Sequence, residues 1–501
     1  MSLIGLDIGT TGCKACLFTT EGKLLGSASR EYTVDFPRPN WAEQDGENVW
    51  RLAQDALKEL LNKTGEHNVE AISLSVHGEA VTAIDAQGHT LRPFILGMDT
   101  RTVEENRLLS AQFGASTLYL WTGMPIHTIN TLPKLLWIKR NEPEIWKKAA
   151  HFLLVEDFLI FKMTGKFAIS RCLASRTQCF DLQKDEWSQP ILNILGLDES
   201  RLSLVLPSGS AVALMHTALS AELGFDHPPL LVTGGHDQAC GALGVGLTKP
   251  GLAMVSTGTA EVVEVVLPSP VLNQTLCDGN ISVYAHVVPG LFLAMTLNHS
   301  GGMLLRWFRD SFCESEQQMA ANSYEDAYDL ILNKAKTGPT GLLVLPHFSG
   351  SGTPWFDTAS KGAILGLTFT HTKYDIAKAI LEGLTYELRI NLDLLKSGGV
   401  RIDALRAIGG GARSDLWLKL KADICGTPVV VPAITEAAGL GAAILAGVGA
   451  GIFPDATQAV DSMLKFKGEK QPDFASGTTY NRYFELYRQV YPAIRSISHR
   501  L

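Results

Sequence analysis

Short apolar runs that close on glycine alternate along this chain with stretches of helical periodicity. The first run, Leu3 to Gly9, ends in Gly9-Thr10-Thr11-Gly12, and Lys14 to Thr19 and Leu24 to Ser27 follow across a turn at Glu21-Gly22-Lys23. Strand, glycine turn, strand, turn, strand predicts an antiparallel meander. Glu47 to Leu61 carries apolar side chains at helical spacing, and Ala71 to Ser75 reads as a further short strand. Strands alternating with helices predict an α/β architecture.

The opening pattern returns in the second half. Leu230 to Thr233 leads into Gly234-Gly235-His236-Asp237, and Ala253 to Val255 runs into Ser256-Thr257-Gly258-Thr259 before the apolar run Val262 to Leu267. Two related halves are expected, with a hinge across the glycine-rich stretch Gly241 to Gly251. Residues 475 to 499 are expected to form a terminal helix that packs back on the first half. Gly447-Val448-Gly449-Ala450-Gly451 follows a helical stretch and reads as its stop.

Composition narrows the function classes. Lys and Arg number 43 against 51 Asp and Glu, a net charge of −8, and no basic stripe interleaved with aromatics is present, which argues against nucleic acid. No apolar run is long enough to span a bilayer, and the N-terminus has no secretory pattern. The 8 scattered cysteines suit a reducing, cytoplasmic setting better than a disulfide framework. Cys13-Lys14-Ala15-Cys16 lies in a predicted strand, where a redox pair would lack the helix N-terminus that lowers a thiol pKa.

Three glycine motifs point to phosphate chemistry. In Asp7-Ile8-Gly9-Thr10-Thr11, glycine admits close backbone approach, hydroxyls and N–H groups can cradle phosphate oxygens, and a carboxylate at a strand end can hold Mg²⁺. Alone, that motif fits an ordinary hairpin turn equally well. Ser256-Thr257-Gly258-Thr259 offers the same chemistry again. Gly409-Gly410-Gly411-Ala412-Arg413-Ser414-Asp415 sits between a short strand and an amphipathic segment, an arrangement that makes either an anion site or a tight connection. Asp237 follows a buried strand and two glycines, where α/β enzymes expose catalytic groups. Phosphoryl-transfer logic favours this carboxylate over His236 as the acceptor of a hydroxyl proton. No P-loop, protein-kinase, HExxH or Gly-x-Ser-x-Gly signature occurs.

Taken in order, the motifs resemble the FGGY family of carbohydrate kinases, within the actin-like ATPase fold. The resemblance runs from Gly5-Leu6-Asp7-Ile8-Gly9-Thr10-Thr11 through Trp41-Ala42-Glu43-Gln44, Asp99-Thr100-Arg101-Thr102, Gly235-His236-Asp237-Gln238 and Ser256-Thr257-Gly258-Thr259. It continues through Ser349 to Pro354, Gly362 to Leu367, Leu381-Glu382-Gly383, Gly409 to Ala412 and Thr435 to Ala443. It implies two actin-like (ribonuclease H-like) α/β domains around a deep cleft. Residues 1–245 would bind mainly sugar and 246–470 mainly ATP, with 471–501 as the returning helix.

The resemblance also assigns roles. Asp237 would be the catalytic base, and Asp7 the Mg²⁺-linked carboxylate. ATP would be held by Thr10, Thr11, Lys14, Thr257, Gly258 and Thr259 at its phosphates, by Gly410, Gly411, Ala412 and Asp415 near adenine, and by Gly301 and Gly302 at the nucleotide's border. The sugar would meet His77, Gly78, Glu79, Asp99, Asp237 and Gln238. A homodimer is one further expectation from relatives.

The sugar segment departs from the best-known members. Xylulokinases usually carry Met-His, and glycerol kinases Arg-Glu, where this chain has Gly78-Glu79. Gly78 is expected to leave room beside Glu79 for a neutral substrate longer than glycerol, with D-xylulose first and gluconate, glycerol or a related polyol as alternatives. Two other classes share the scaffold: a motor- or chaperone-like ATPase, against which the sugar segment argues, and a non-catalytic sugar-binding regulator, against which intact Asp7 and Asp237 argue.

Overall fold

A computed structural model describes residues 1–323 and 325–501. The predicted meander forms as β1 (Ser2–Ile8), β2 (Gly12–Thr19) and β3 (Leu24–Glu31). β4 (Val69–Val76), β5 (Ala211–Leu214) and β6 (Leu230–His236) complete a six-stranded sheet in the order β5-β6-β4-β1-β2-β3. A second, seven-stranded sheet has the order β9-β10-β8-β7-β11-β12-β13. Its strands are β7 (Leu252–Thr257), β8 (Glu261–Leu267), β9 (Ser282–Ala285), β10 (Phe292–Asn298), β11 (Ala404–Gly409), β12 (Val429–Pro432) and β13 (Phe466–Lys470).

The two sheets repeat one plan. β1 pairs antiparallel with β2 and parallel with β4, which pairs parallel with β6, which pairs antiparallel with β5. β7 stands in the same relations to β8, β11, β12 and β13. The echo in the sequence is therefore a structural repeat, and each Gly/Thr motif is the turn of a repeated hairpin. Cys13 and Cys16 both lie in β2, buried and three positions apart, so they point to opposite faces.

Helices cover the sheets. α1 (Gly46–Thr64) is capped by Asp45 at its start and by left-handed Gly65 at its end, and it buries Val49, Ala53, Leu57 and Leu60. Next come α2 (Val155–Thr164), α3 (Arg171–Arg176), α4 (Asp237–Gly244), α5 (Gly302–Phe312), α6 (Lys373–Ser397), α7 (Asp415–Cys425), α8 (Ala437–Gly449) and α9 (Phe474–Ser498).

Two expectations are corrected. Gly241 and Gly244 do not form a loose hinge but lie inside α4, which packs along α8 between the two sheets. The terminal helix α9 packs on the second domain: Tyr480, Phe484, Tyr487 and Tyr491 share a core with Leu381, Tyr386, Trp417 and Leu420. Tyr487 also donates to buried Glu387 at 2.5 Å. The aromatic stripe of α9 selects the apolar faces of α6 and α7, whereas α1 and its neighbours already cover the first sheet.

Glycine permits the α4–α8 crossing. A Cβ on Gly441 would lie 1.8 Å from the Cys240 carbonyl oxygen, and one on Gly244 would lie 1.9 Å from that of Ala437. A Gly441→Ala variant must push the helices apart, and it should lose about 1–3 kcal/mol or more, the usual penalty for overpacking. Urea denaturation checks this, and a midpoint matching wild type would contradict it.

Candidate active site

The C-terminal ends of β1 and β6 deliver Asp7 and Asp237 to a cavity of about 290 Å³. Gln238, Met254, Ser256, Gly409 and the segment from Ile434 to Gly439 line the rest, so both sheets contribute. Asp7 is shared with a wider groove of about 700 Å³ along Gly9, Thr11, Gly12 and Lys14. Lys14 pairs with Glu436 at 3.0 Å, joining β2 to the start of α8.

Burial, and then the neighbouring Asp7, push the Asp237 carboxyl up to about 7. Burial also raises Asp7, whose Oδ1 accepts a 2.6 Å hydrogen bond from Ser75. The backbone N–H of Gln238 donates to Asp237 Oδ1 at 2.6 Å. His236 Nε2 lies 3.2 Å from the same oxygen, but burial lowers its pKa far enough to keep the ring neutral. A carboxyl poised near neutrality in a cleft has the property a general base needs.

Both glycine turns are tightly built. Gly9 N–H bonds the Gly12 carbonyl, Tyr32 Oη donates to the Gly9 carbonyl at 2.6 Å, and Gln44 donates to that of Thr10 at 2.8 Å. In the second turn Gly301 and Gly302 donate their N–H groups to the carbonyls of Thr259 and Gly258 at 2.8 and 2.7 Å. The expected neighbours therefore meet, although these two N–H groups are already committed. Gly258 and Thr259 are exposed, but the Thr257 hydroxyl is not free as a phosphate ligand. It is buried between Glu261 (2.7 Å) and Lys421 (2.6 Å), within an ion pair that ties the turn to α7. Gly410, Gly411 and Ala412 form a single 3₁₀ turn before α7, and a Cβ on Gly411 would lie 2.8 Å from Thr257 Cβ. The Asp415 side chain is exposed and pairs with Lys470 at 3.1 Å.

The sugar segment needs the largest corrections. Asp99 is fully buried and faces its own structure: it accepts from Ala42 N–H at 2.6 Å and holds the Arg101 guanidinium, which stacks 3.7 Å from the Trp41 ring centre. It has no free acceptor to offer a substrate. The space beside Gly78 is also filled. A Cβ there would lie 2.8 Å from the His236 ring and 3.3 Å from Arg176 Nε. Arg176, at the end of α3, donates from Nε to Glu79 Oε1 at 2.6 Å, and Oε2 has no hydrogen-bond partner among the described residues. A guanidinium thus occupies the neighbourhood of Gly78, brought from a distant part of the chain.

Glu79 adopts a left-handed backbone, φ 63°, which is strained for a residue with a side chain. Its carbonyl is clamped by Lys134 Nζ at 3.0 Å and Thr131 Oγ1 at 3.1 Å. Burial pushes Lys134 down to about 7 and His77 down to about 4, so His77 is neutral and its Nε2 lacks a partner. Arg176 also stacks 4.4 Å from the ring centre of Tyr284 in β9, so one side chain touches both domains. It opens onto an interdomain pocket of about 100 Å³ with His127, Ile129, Asn130, Asn280 and His299. Sequence reasoning missed Arg176, Lys134 and Tyr284, since no local motif marks them.

Residues 2–244 match the N-terminal domain, and residues 253–450 the C-terminal domain, of the FGGY family of carbohydrate kinases. The chain belongs to this family. The FGGY fold, two actin-like domains, extends over the whole chain: a crystal structure of xylulose kinase from Rhodospirillum rubrum superposes with a TM-score of 0.87 at 26% identity, covering 100% of both chains. The xylulose kinase of Staphylococcus epidermidis is 30% identical over 498 residues, spanning 99% of this chain and 97% of that protein. The gluconokinase of Bacillus subtilis is 30% identical over 466 residues, 92% of this chain and 90% of that protein. As an FGGY kinase the protein is a sugar kinase, and the family implies ATP as phosphoryl donor. No helix among the described residues is long and apolar enough to cross a membrane.

A base with pKa near 7 must be ionised to work, so kcat should rise with pH through about 7 and level off above it. A kcat that is flat from pH 5.5 to 8.5, measured with saturating substrates, would contradict the assignment.

Proposed function

We propose that the protein transfers the γ-phosphoryl group of ATP to a hydroxyl of a neutral ketopentose, D-xylulose first. The observation that carries this is the convergence of Asp7 and Asp237 from two strand ends on one cavity that the second domain completes. Asp237 accepts the proton of the substrate hydroxyl as its oxygen attacks the γ-phosphorus in line. The bond from the γ-phosphorus to the β,γ-bridging oxygen breaks, and ADP leaves. Residues 1–245 position the sugar and residues 246–470 the nucleotide, with Gly258, Thr259 and the 410–412 turn facing ATP. Closure of the cleft excludes water from the transfer.

The donor set fits Mg²⁺ delivered with ATP. Among the described residues no group of three or more His, Cys, Asp or Glu is arranged to hold a metal alone. Mg²⁺ commonly uses one or two carboxylates plus substrate phosphates. Asp7 suits that use: one oxygen is fixed by Ser75, and its carboxyl is raised by a burial that a cation would offset. When bound, the ion would neutralise charge on the phosphates. Asp7→Asn should raise the Mg²⁺ concentration needed for half-maximal rate, and a titration overlaying wild type would remove Asp7 from this role.

The sugar preference rests on charge balance rather than on an empty space at Gly78. Arg176 supplies a cation and Glu79 cancels it, so the pair brings no net charge to the sugar site and favours a neutral polyol. Several similar curated proteins are named xylulose kinase, which supports the same choice. A second reading, an aldonate such as gluconate, is favoured by the buried guanidinium itself and by the gluconokinase relative. Glycerol has fewer hydroxyls to pair with Glu79 and His77, and each unpaired buried polar group costs about 1–3 kcal/mol. We expect kcat/KM to rank D-xylulose over gluconate over glycerol. Glu79→Ala should raise the sugar KM far more than the ATP KM. Gluconate ranking first would overturn the charge argument.

A further inference from the structure

Glu156 stands second in α2 and is fully buried, yet it lines none of the three cavities. Its Oε1 accepts the N–H of Gly234 at 2.6 Å, and its Oε2 accepts the N–H of Ser170 at 2.7 Å. Each bond fixes a different part of the active site. Gly234 lies where the β6–β4 register breaks, between Val232 and Gly235. Its N–H goes to Glu156 instead of to the ladder. A Cβ on Gly234 would lie 1.6 Å from the Leu74 carbonyl oxygen, so the irregular stretch is pressed flat on β4. β6 ends at His236, and Asp237, three residues after Gly234, begins α4. Ser170 caps α3 through its hydroxyl, which accepts from Leu173 N–H, and the last residue of α3 is Arg176.

We propose that Glu156 is a positioning residue for phosphoryl transfer, holding the strand that delivers Asp237 and the helix that delivers Arg176 in one fixed relation. A buried N–H without an acceptor is rare and unfavourable, so the two donors hold the carboxylate firmly and it holds them. A carboxylate accepts at both oxygens, whereas a glutamine side chain presents an NH₂ to one of the two N–H groups. The neighbouring Asp157 is equally buried, but its Oδ2 accepts only from Ser203 and reaches neither segment. The inference rests on Asp237 being the base, and the test separates the two claims.

The test is a double-mutant cycle on the full-length enzyme with E156Q and D237A, with D157N as the control for general loosening. D-xylulose and gluconate are each used as acceptor, and rates are normalised to folded protein by thermal melts. E156Q should lower kcat on the order of 10-fold, since a displacement of about 1 Å can cost more than that. Its ATP KM should stay within about twofold while the sugar KM rises, and the kcat loss should disappear on the D237A background, as expected for residues acting as a unit. D157N should lower the melting temperature without lowering kcat. E156Q with wild-type kcat beside a crippled D237A would overturn the positioning role alone, as would an equal loss on the D237A background or in D157N. D237A with near-normal turnover would remove the base assignment and this inference with it. If E156Q does not accumulate as folded protein, E156D, too short to span both N–H groups, is judged by the same criteria.

Discussion

The closest contacts between the two halves of this kinase are made by backbone. α4 and α8 cross with Gly441 against the Cys240 carbonyl and Gly244 against the Ala437 carbonyl, while Gly5 of β1 lies against the Gly439 carbonyl. A Cβ on Gly5 would come within 1.9 Å of that oxygen. This closeness sets the distance between the sheets, and with it the distance between the strand ends that carry Asp7 and Asp237 and the turns of the second domain. Backbone contact at this range leaves few packing alternatives, because a close-packed interior transmits any added volume as a shift of whole elements. The interdomain core that surrounds the crossing draws on both sheets, from Leu3, Phe18 and Ala71 to Met254, Val266 and Leu293.

That geometry has an electrostatic consequence. Two carboxylates are brought to one cavity, and each is raised by burial. In the proposed reaction that tension is useful: Asp237 would gain affinity for a proton, and Asp7 for a cation arriving with ATP. The other charges nearby are neutralised in pairs, Arg176 with Glu79 and Lys14 with Glu436. Glu264 is also buried next to Arg176, and burial pushes it up to about 8, so it joins the cluster as a neutral hydrogen-bond partner of Tyr284. The pocket floor is thus close to neutral, and the unbalanced chemistry is confined to the two aspartates.

What the sequence disclosed follows from how local each signal was. The hairpin turns at Gly9 and Gly258, the strand-end position of Asp237 and the strand–turn–helix at Gly409 are written in consecutive residues, and they stand where those residues place them. Gly78 misled because an absent side chain was read as empty space; the space belongs to the His236 ring and to Arg176, which lies 98 positions along the chain. Asp99 misled because a motif fixes a residue's identity but not which way its carboxylate faces, and Arg101 two residues later takes it inward. The terminal helix was legible as a helix, but its partner was not, since amphipathic periodicity names a face and not the surface it meets. Glu156 carried no signal at all: its two bonds reach 14 and 78 residues away.

The central claim is that the interdomain geometry places Asp237 to take the hydroxyl proton during transfer. A single-turnover experiment tests it most directly: enzyme in excess over γ-labelled ATP is mixed with saturating D-xylulose and quenched in milliseconds, for wild type and Asp237→Asn. The account predicts that the variant binds sugar and nucleotide with affinities within about threefold of wild type, while its transfer step is slower on the order of 10²-fold or more. A transfer step in Asp237→Asn within about threefold of wild type would contradict it.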